Sequence, residues 1–114
     1  MDSGPGPADA PATVDLVHDF LRGQNLEQVG RVDEAVELYE HAIRAAFDSP
    51  GPYDRLIEIY SSLARHMDAA RVAATAIDAV HTHRGKRQWY ERMLESARAA
   101  AAKVPEAAPK KPRA

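Results

Sequence analysis

The chain has 114 residues, 45% of them apolar, a net charge of −2 and no cysteine. That length allows one small core of about 90 residues once the Pro/Gly/Ala-rich ends are set aside, and the lack of cysteine excludes a disulfide framework and a thiolate zinc site. The modest net charge hides an asymmetry, because residues 1–80 carry 14 Asp/Glu against 6 Arg whereas residues 81–114 carry 9 Lys/Arg against 3 Glu.

The opening MDSGPGPADAPA is acidic and has neither a basic start nor an apolar segment. No run approaches the roughly 18 apolar residues of a membrane span, so neither a signal peptide nor a spanning helix is expected, and a cytoplasmic location is. Residues 1–12 and the basic, proline-rich VPEAAPKKPRA at 104–114 read as disordered tails, because such compositions bury too little apolar surface to offset their ordering entropy. Arginine outnumbers lysine 11 to 4, with abundant Ala and Pro, a composition that points to a GC-rich bacterial source.

Between the tails the apolar residues recur at helical spacing, and no stretch alternates with period two over a strand's length. The spacing predicts an all-α chain of five helices, about 13–29, 32–47, 51–64, 68–82 and 87–103, joined by short turns. Gly30 falls where the first helix should stop, since glycine takes the left-handed conformation of a C-terminal cap without steric conflict. Ser49-Pro50 reads as an N-cap followed by proline at the first helical position, with Asp54 in the first turn, at the positive end of the macrodipole. Further breaks are expected near 65–67 and at Gly85.

The second helix, within VGRVDEAVELYEHAI at 29–43, keeps Gly30, Ala35 and Ala42 small around a single aromatic, Tyr39. Small residues there fit close helix crossing better than a ligand pocket. The stretch also repeats: laid without a gap on LARHMDAARVAATAI at 63–77, it places Gly30 on Ala64, Arg31 on Arg65, Ala35 on Ala69, Ala42 on Ala76 and Ile43 on Ile77. A fainter third copy pairs YDRLIEI at 53–59 with YERMLES at 90–96.

A helical hairpin repeating at this interval resembles the tetratricopeptide repeat, whose period is about 34 residues. The first copy supplies Gly23, Leu26 in place of a tyrosine, Gly30, Ala35, Tyr39 and Ala42, and the second supplies Tyr53, Leu56, Tyr60, Ala69 and Ala76. The chain departs from the pattern at Asp19 and Arg22 in the first copy and at Ile57 and Ala73 in the second. The resemblance spans about residues 17–82 and implies a solenoid of two antiparallel hairpins plus a capping helix, a single domain over 13–103. It also implies a non-catalytic interaction module, in which the first helix of each hairpin faces a concave groove that holds a peptide or partner helix. By register the groove residues would be Phe20, Gln24, Glu27 and Gln28, then Asp54, Arg55, Glu58 and Ser62, then Glu91, Arg92 and Glu95. Four of these are carboxylates in matched positions, Asp54 with Glu91 and Glu58 with Glu95, which favours basic partners, although helix carboxylates usually just form a solvated face. A subtype that clamps a terminal carboxylate with Lys, Asn and Arg is not matched.

Other chemistries find little support. His18, His41, His66, His81 and His83 form no HExxH or tetrahedral set, and His81 and His83, two apart, suit the negative end of the fourth helix. Ser61-Ser62 lacks a nucleophile elbow, and no Gly-rich phosphate loop or Walker lysine occurs, so no enzyme activity, metal or cofactor is expected. Two alternative readings remain: binding of nucleic acid or an anionic surface through Arg84, Lys86, Arg87, Lys110, Lys111 and Arg113 beside Trp89, or a detached helical-repeat piece of a transcription-regulator system. The acidic body opposes the first, and no DNA-reading motif supports the second. Trp89, Tyr90, Met93 and Leu94 exceed the apolar content of a simple cap, which leaves homo-oligomerisation open.

Overall fold

A computed structural model describes residues 13–81 and 83–103. The tails 1–12 and 104–114, including Lys110, Lys111 and Arg113, lie outside the described residues, as do the side chains of Thr13, Val14 and Arg84. Five helices follow in order: α1 Thr13–Gln28, α2 Val32–Arg44, α3 Pro50–Ser62, α4 His66–Ala79 and α5 Arg84–Lys103. They fall into two compact units, one ending at Phe47 and the next beginning at Asp48. In the first, α1 packs antiparallel to α2, and in the second α4 packs antiparallel to both α3 and α5.

The expected all-α architecture is present, and the boundaries differ where turn chemistry is hidden in alanines. Gly30 takes φ +83°, its N–H donating to the Glu27 carbonyl (3.0 Å) and that of Arg31 to the Leu26 carbonyl (2.8 Å). This is the paired hydrogen-bond closure of a left-handed helix cap. The same closure recurs at the matching place of the second copy, around Ala64, φ +59°, with Ala64 bonded to Ser61 (3.1 Å) and Arg65 to Tyr60 (2.8 Å). A third lies at Ala46, φ +57°, with Ala46 bonded to Ile43 and Phe47 to Ala42. Alanine signals no stop in a sequence, so α2 ends at Arg44 rather than 47, and α3 at Ser62 rather than 64. The left-handed region disfavours any Cβ, and both alanines are exposed. Ala64→Gly and Ala46→Gly should therefore each raise stability by about 0.5–1 kcal/mol, net of the greater freedom of glycine in the unfolded chain. Urea midpoints check this, and a fall at both sites would contradict the left-handed caps.

Other expectations are corrected. Ser49 is the N-cap of α3 but makes no side-chain capping bond. One of its two usual targets, the N–H of the third helical residue, is absent because that residue is Pro52. Asp54 lies beyond the first turn, which holds no acidic residue, and its carboxylate is engaged elsewhere. The fourth helix starts at His66 and ends at Ala79, before His81, whose N–H donates instead to Asp48 Oδ1 at 2.7 Å. The fifth starts at Arg84, with Gly85 inside its first turn.

In the first unit Tyr39 is fully buried. Its ring lies 5.8 Å from that of Phe20, and its hydroxyl donates to Glu27 Oε2 at 2.5 Å. A Cβ on Gly23 would come within 2.5 Å of that ring, so Gly23 is small because tyrosine fills the space beside it. Gly30, by contrast, has open space around its Cα, and its backbone conformation rather than helix crossing requires glycine. Ala35 and Ala42 are fully buried, and Ala42 packs with Leu16 and Phe47. In the second unit Ala69, Ala70, Ala73, Ala76 and Ala79 of α4 are all buried, and side chains this short let neighbouring helices approach closely. The apolar content of α5 is largely used within this unit: Tyr90 and Ala97 are buried, and Trp89, Met93 and Leu94 are half-buried.

Candidate functional site

The residues expected to face a groove divide between the two units. In the first, Phe20 and Glu27 are half-buried and bound to Tyr39 as described, Gln24 is half-buried and Gln28 is exposed. In the second, Arg55 pairs with Glu58 at 2.7 Å, and the Ser62 hydroxyl donates to the Ile59 carbonyl. Glu91 pairs with Arg87 at 3.3 Å. Arg92 and Glu95 are exposed and, with Gln88 and Arg98, line a shallow depression on α5.

Asp54 organises a polar cluster in the second unit. Its Oδ1 accepts the Tyr90 hydroxyl at 2.8 Å, and its Oδ2 lies 3.0 Å from the Lys86 ammonium. That ammonium sits 3.9 Å from the centre of the Trp89 ring and 5.4 Å from that of Tyr90. Tyr53 meets Tyr90 edge-on, centroids 6.4 Å apart. Three of the carboxylates read as an acidic surface, Asp54, Glu58 and Glu91, thus each hold a cation of the same chain. Ion pairing between distant segments has no local sequence signature, so Lys86 was not legible as the partner of Asp54.

Burial, followed by the nearby Asp48 charge, pushes the Tyr53 phenol up to about 12. Burial, then the hydrogen bond to Asp54 and its charge, also hold the Tyr90 phenol well above its ordinary range. In the unfolded chain both would ionise near pH ~10. Because the folded pKa values are raised, their contribution is intact below about pH 10 and is lost as the unfolded chain releases protons the native chain keeps. Stability should fall between about pH 10 and about pH 12, by up to about 1.4 kcal/mol per pH unit for each tyrosine. Urea midpoints across this range, with tyrosinate absorbance recorded in parallel, check it.

Sequence reasoning missed an open cleft on the first unit, between Asp19, Arg22 and Leu26 of α1 and Val36, Glu37 and Glu40 of α2. Asp19 at its rim is bonded to His41 at 3.0 Å. Among the described residues no three His, Asp or Glu side chains converge as a metal-holding group, and no helix is long and apolar enough to cross a membrane.

These features define a chain of packed helical hairpins with closely fitted small residues and a surface of paired charges. Compared with protein-family models, curated proteins and solved structures, it matches none.

Proposed function

We propose that the chain is a non-catalytic protein-interaction module of tetratricopeptide type, binding an extended basic peptide or partner helix through the exposed faces of α3 and α5. The supporting observation is the recurrence, at one fixed interval, of the turn between paired helices. Beyond the left-handed caps at Gly30 and Ala64, α1 and α3 end at residues 28 and 62 and α2 and α4 begin at 32 and 66, each shifted by the same interval. The residue preceding α2 and that preceding α4, Arg31 and Arg65, have nearly equal backbone angles, and each pairs at 2.6 Å with an acid three residues on, Glu34 and Asp68. Ala35 and Ala69, and Ala42 and Ala76, are buried in matching places. Repeated hairpins whose helices pack through small residues build surface rather than an enclosed pocket. Panning a random-peptide display library against the full chain tests the proposal. Enrichment of extended sequences rich in Lys or Arg, with binding reduced by Glu58→Lys or Glu91→Lys, is expected. Selection of no peptide, or of peptides indifferent to both reversals, contradicts it.

A further inference from the structure

The aromatic cluster at the start of α5 is built around a cation. Lys86 Nζ lies within the roughly 6 Å reach of a cation–π interaction from both Trp89 and Tyr90 and is in ion-pair contact with Asp54. The receiving groups are fixed independently of it: Tyr90 is fully buried, its hydroxyl holds the Asp54 carboxylate, and Tyr53 backs it edge-on. Water reaches Lys86. Its side chain and that of Asp54 are each about one-third exposed, at 31% and 29%, so solvent and salt screen the pair in part. It also sits in the first turn of α5, which contains no acidic residue and where the helix dipole disfavours a positive charge. The occupant comes from the same chain and stays accessible to water, so a second ammonium can compete for the same groups.

We propose that Trp89, Tyr90 and Asp54 form a cation-binding site that Lys86 fills in cis, and that a lysine side chain of a basic partner peptide takes its place. The inference rests on the peptide-binding reading and names the chemistry recognised: a primary ammonium, one hydrogen bond to a carboxylate and two ring faces. Lys86 then acts as a built-in competitor that sets a threshold for binding.

Trp89 is the only tryptophan, so its emission reports the site directly. The full chain is titrated with a penta-lysine peptide and with its fully acetylated counterpart, by fluorescence and by calorimetry, at low and at raised salt. Lys86→Ala and Lys86→Gln remove the competitor and should bind penta-lysine about tenfold more tightly than the parent, with a saturable change in Trp89 emission, as expected for loss of a tethered rival at high effective concentration. Asp54→Asn should abolish that gain, whereas Asp78→Asn, which removes an equal charge elsewhere, should not; melting by circular dichroism verifies that each variant is folded. Equal affinity for parent and Lys86 variants, equal losses at Asp54 and Asp78, equal binding of the acetylated peptide, or no penta-lysine binding by any of them overturns the site. The broader module reading falls separately, when display selection also yields no binder.

Discussion

Replacing Ala42 by leucine is expected to lower stability by about 1–3 kcal/mol, and Ala76→Leu by a similar amount, while Ala46→Leu changes it by less than about 0.5 kcal/mol. Ala42 and Ala76 are fully buried and occupy equivalent positions of the two sequence copies. At Ala42 the added carbons would press on Leu16 and Phe47, which already pack against it. At Ala76 they would enter an α4 whose alanines are buried on several sides. Overpacking strains rotamers and shifts backbone, and helices set at an alanine spacing have little room to yield. Ala46 is exposed, so its side chain grows into water. Ala45 is partly buried against the Ala42 cluster, and leucine there should fall between the two. Urea midpoints decide the matter: equal effects at 42, 45 and 46 would contradict the register, and a large effect at 42 with none at 76 would contradict the equivalence of the hairpins.

Tyr53 and Tyr90, both fully buried in the second unit, should respond in opposite directions to loss of the hydroxyl. Tyr90 donates to a carboxylate, so Tyr90→Phe removes a hydrogen bond to a charged group and should cost about 1.5–3 kcal/mol. The Tyr53 hydroxyl is buried without a hydrogen-bond partner among the described residues. A desolvated, unpaired hydroxyl opposes folding, so Tyr53→Phe should raise stability by about 1–3 kcal/mol while leaving the ring packing unchanged. The rings touch, so the double variant is not expected to equal the sum of the singles. Denaturant midpoints of the three variants measure the effects, and destabilisation by Tyr53→Phe would show that its hydroxyl is satisfied in the folded chain.

Helix content and order were legible because apolar spacing and Gly30 are local signals, and the match of 29–43 with 63–77 located both inter-helix turns of the hairpins. Ala46 and Ala64 were not legible as stops: whether an alanine turns left-handed depends on the hydrogen bonds closing around it, which residue type does not encode. Ser49 was placed as an N-cap and is one, but its hydroxyl makes no capping bond, and Pro52 withholds one of the two N–H groups it could bind. The surface was read less well than the core. Asp54 was assigned to the helix dipole and to a groove, whereas it joins Tyr90 and Lys86, both on a helix far along the chain. Buried small residues leave a periodic trace, but ion pairs between helices depend on which rotamers meet, and periodicity carries nothing about that.

Amide-resonance mapping of the full chain during titration with an extended lysine-rich peptide tests the central claim, that this is a peptide-binding repeat module, most directly. The account predicts saturable, one-to-one shifts concentrated at Asp54, Glu58, Trp89 and Glu91, diminishing as salt screens the charges beyond about 10 Å at ~0.1 M. Small shifts spread evenly over every acidic residue, or none at any peptide concentration at low salt, would contradict it.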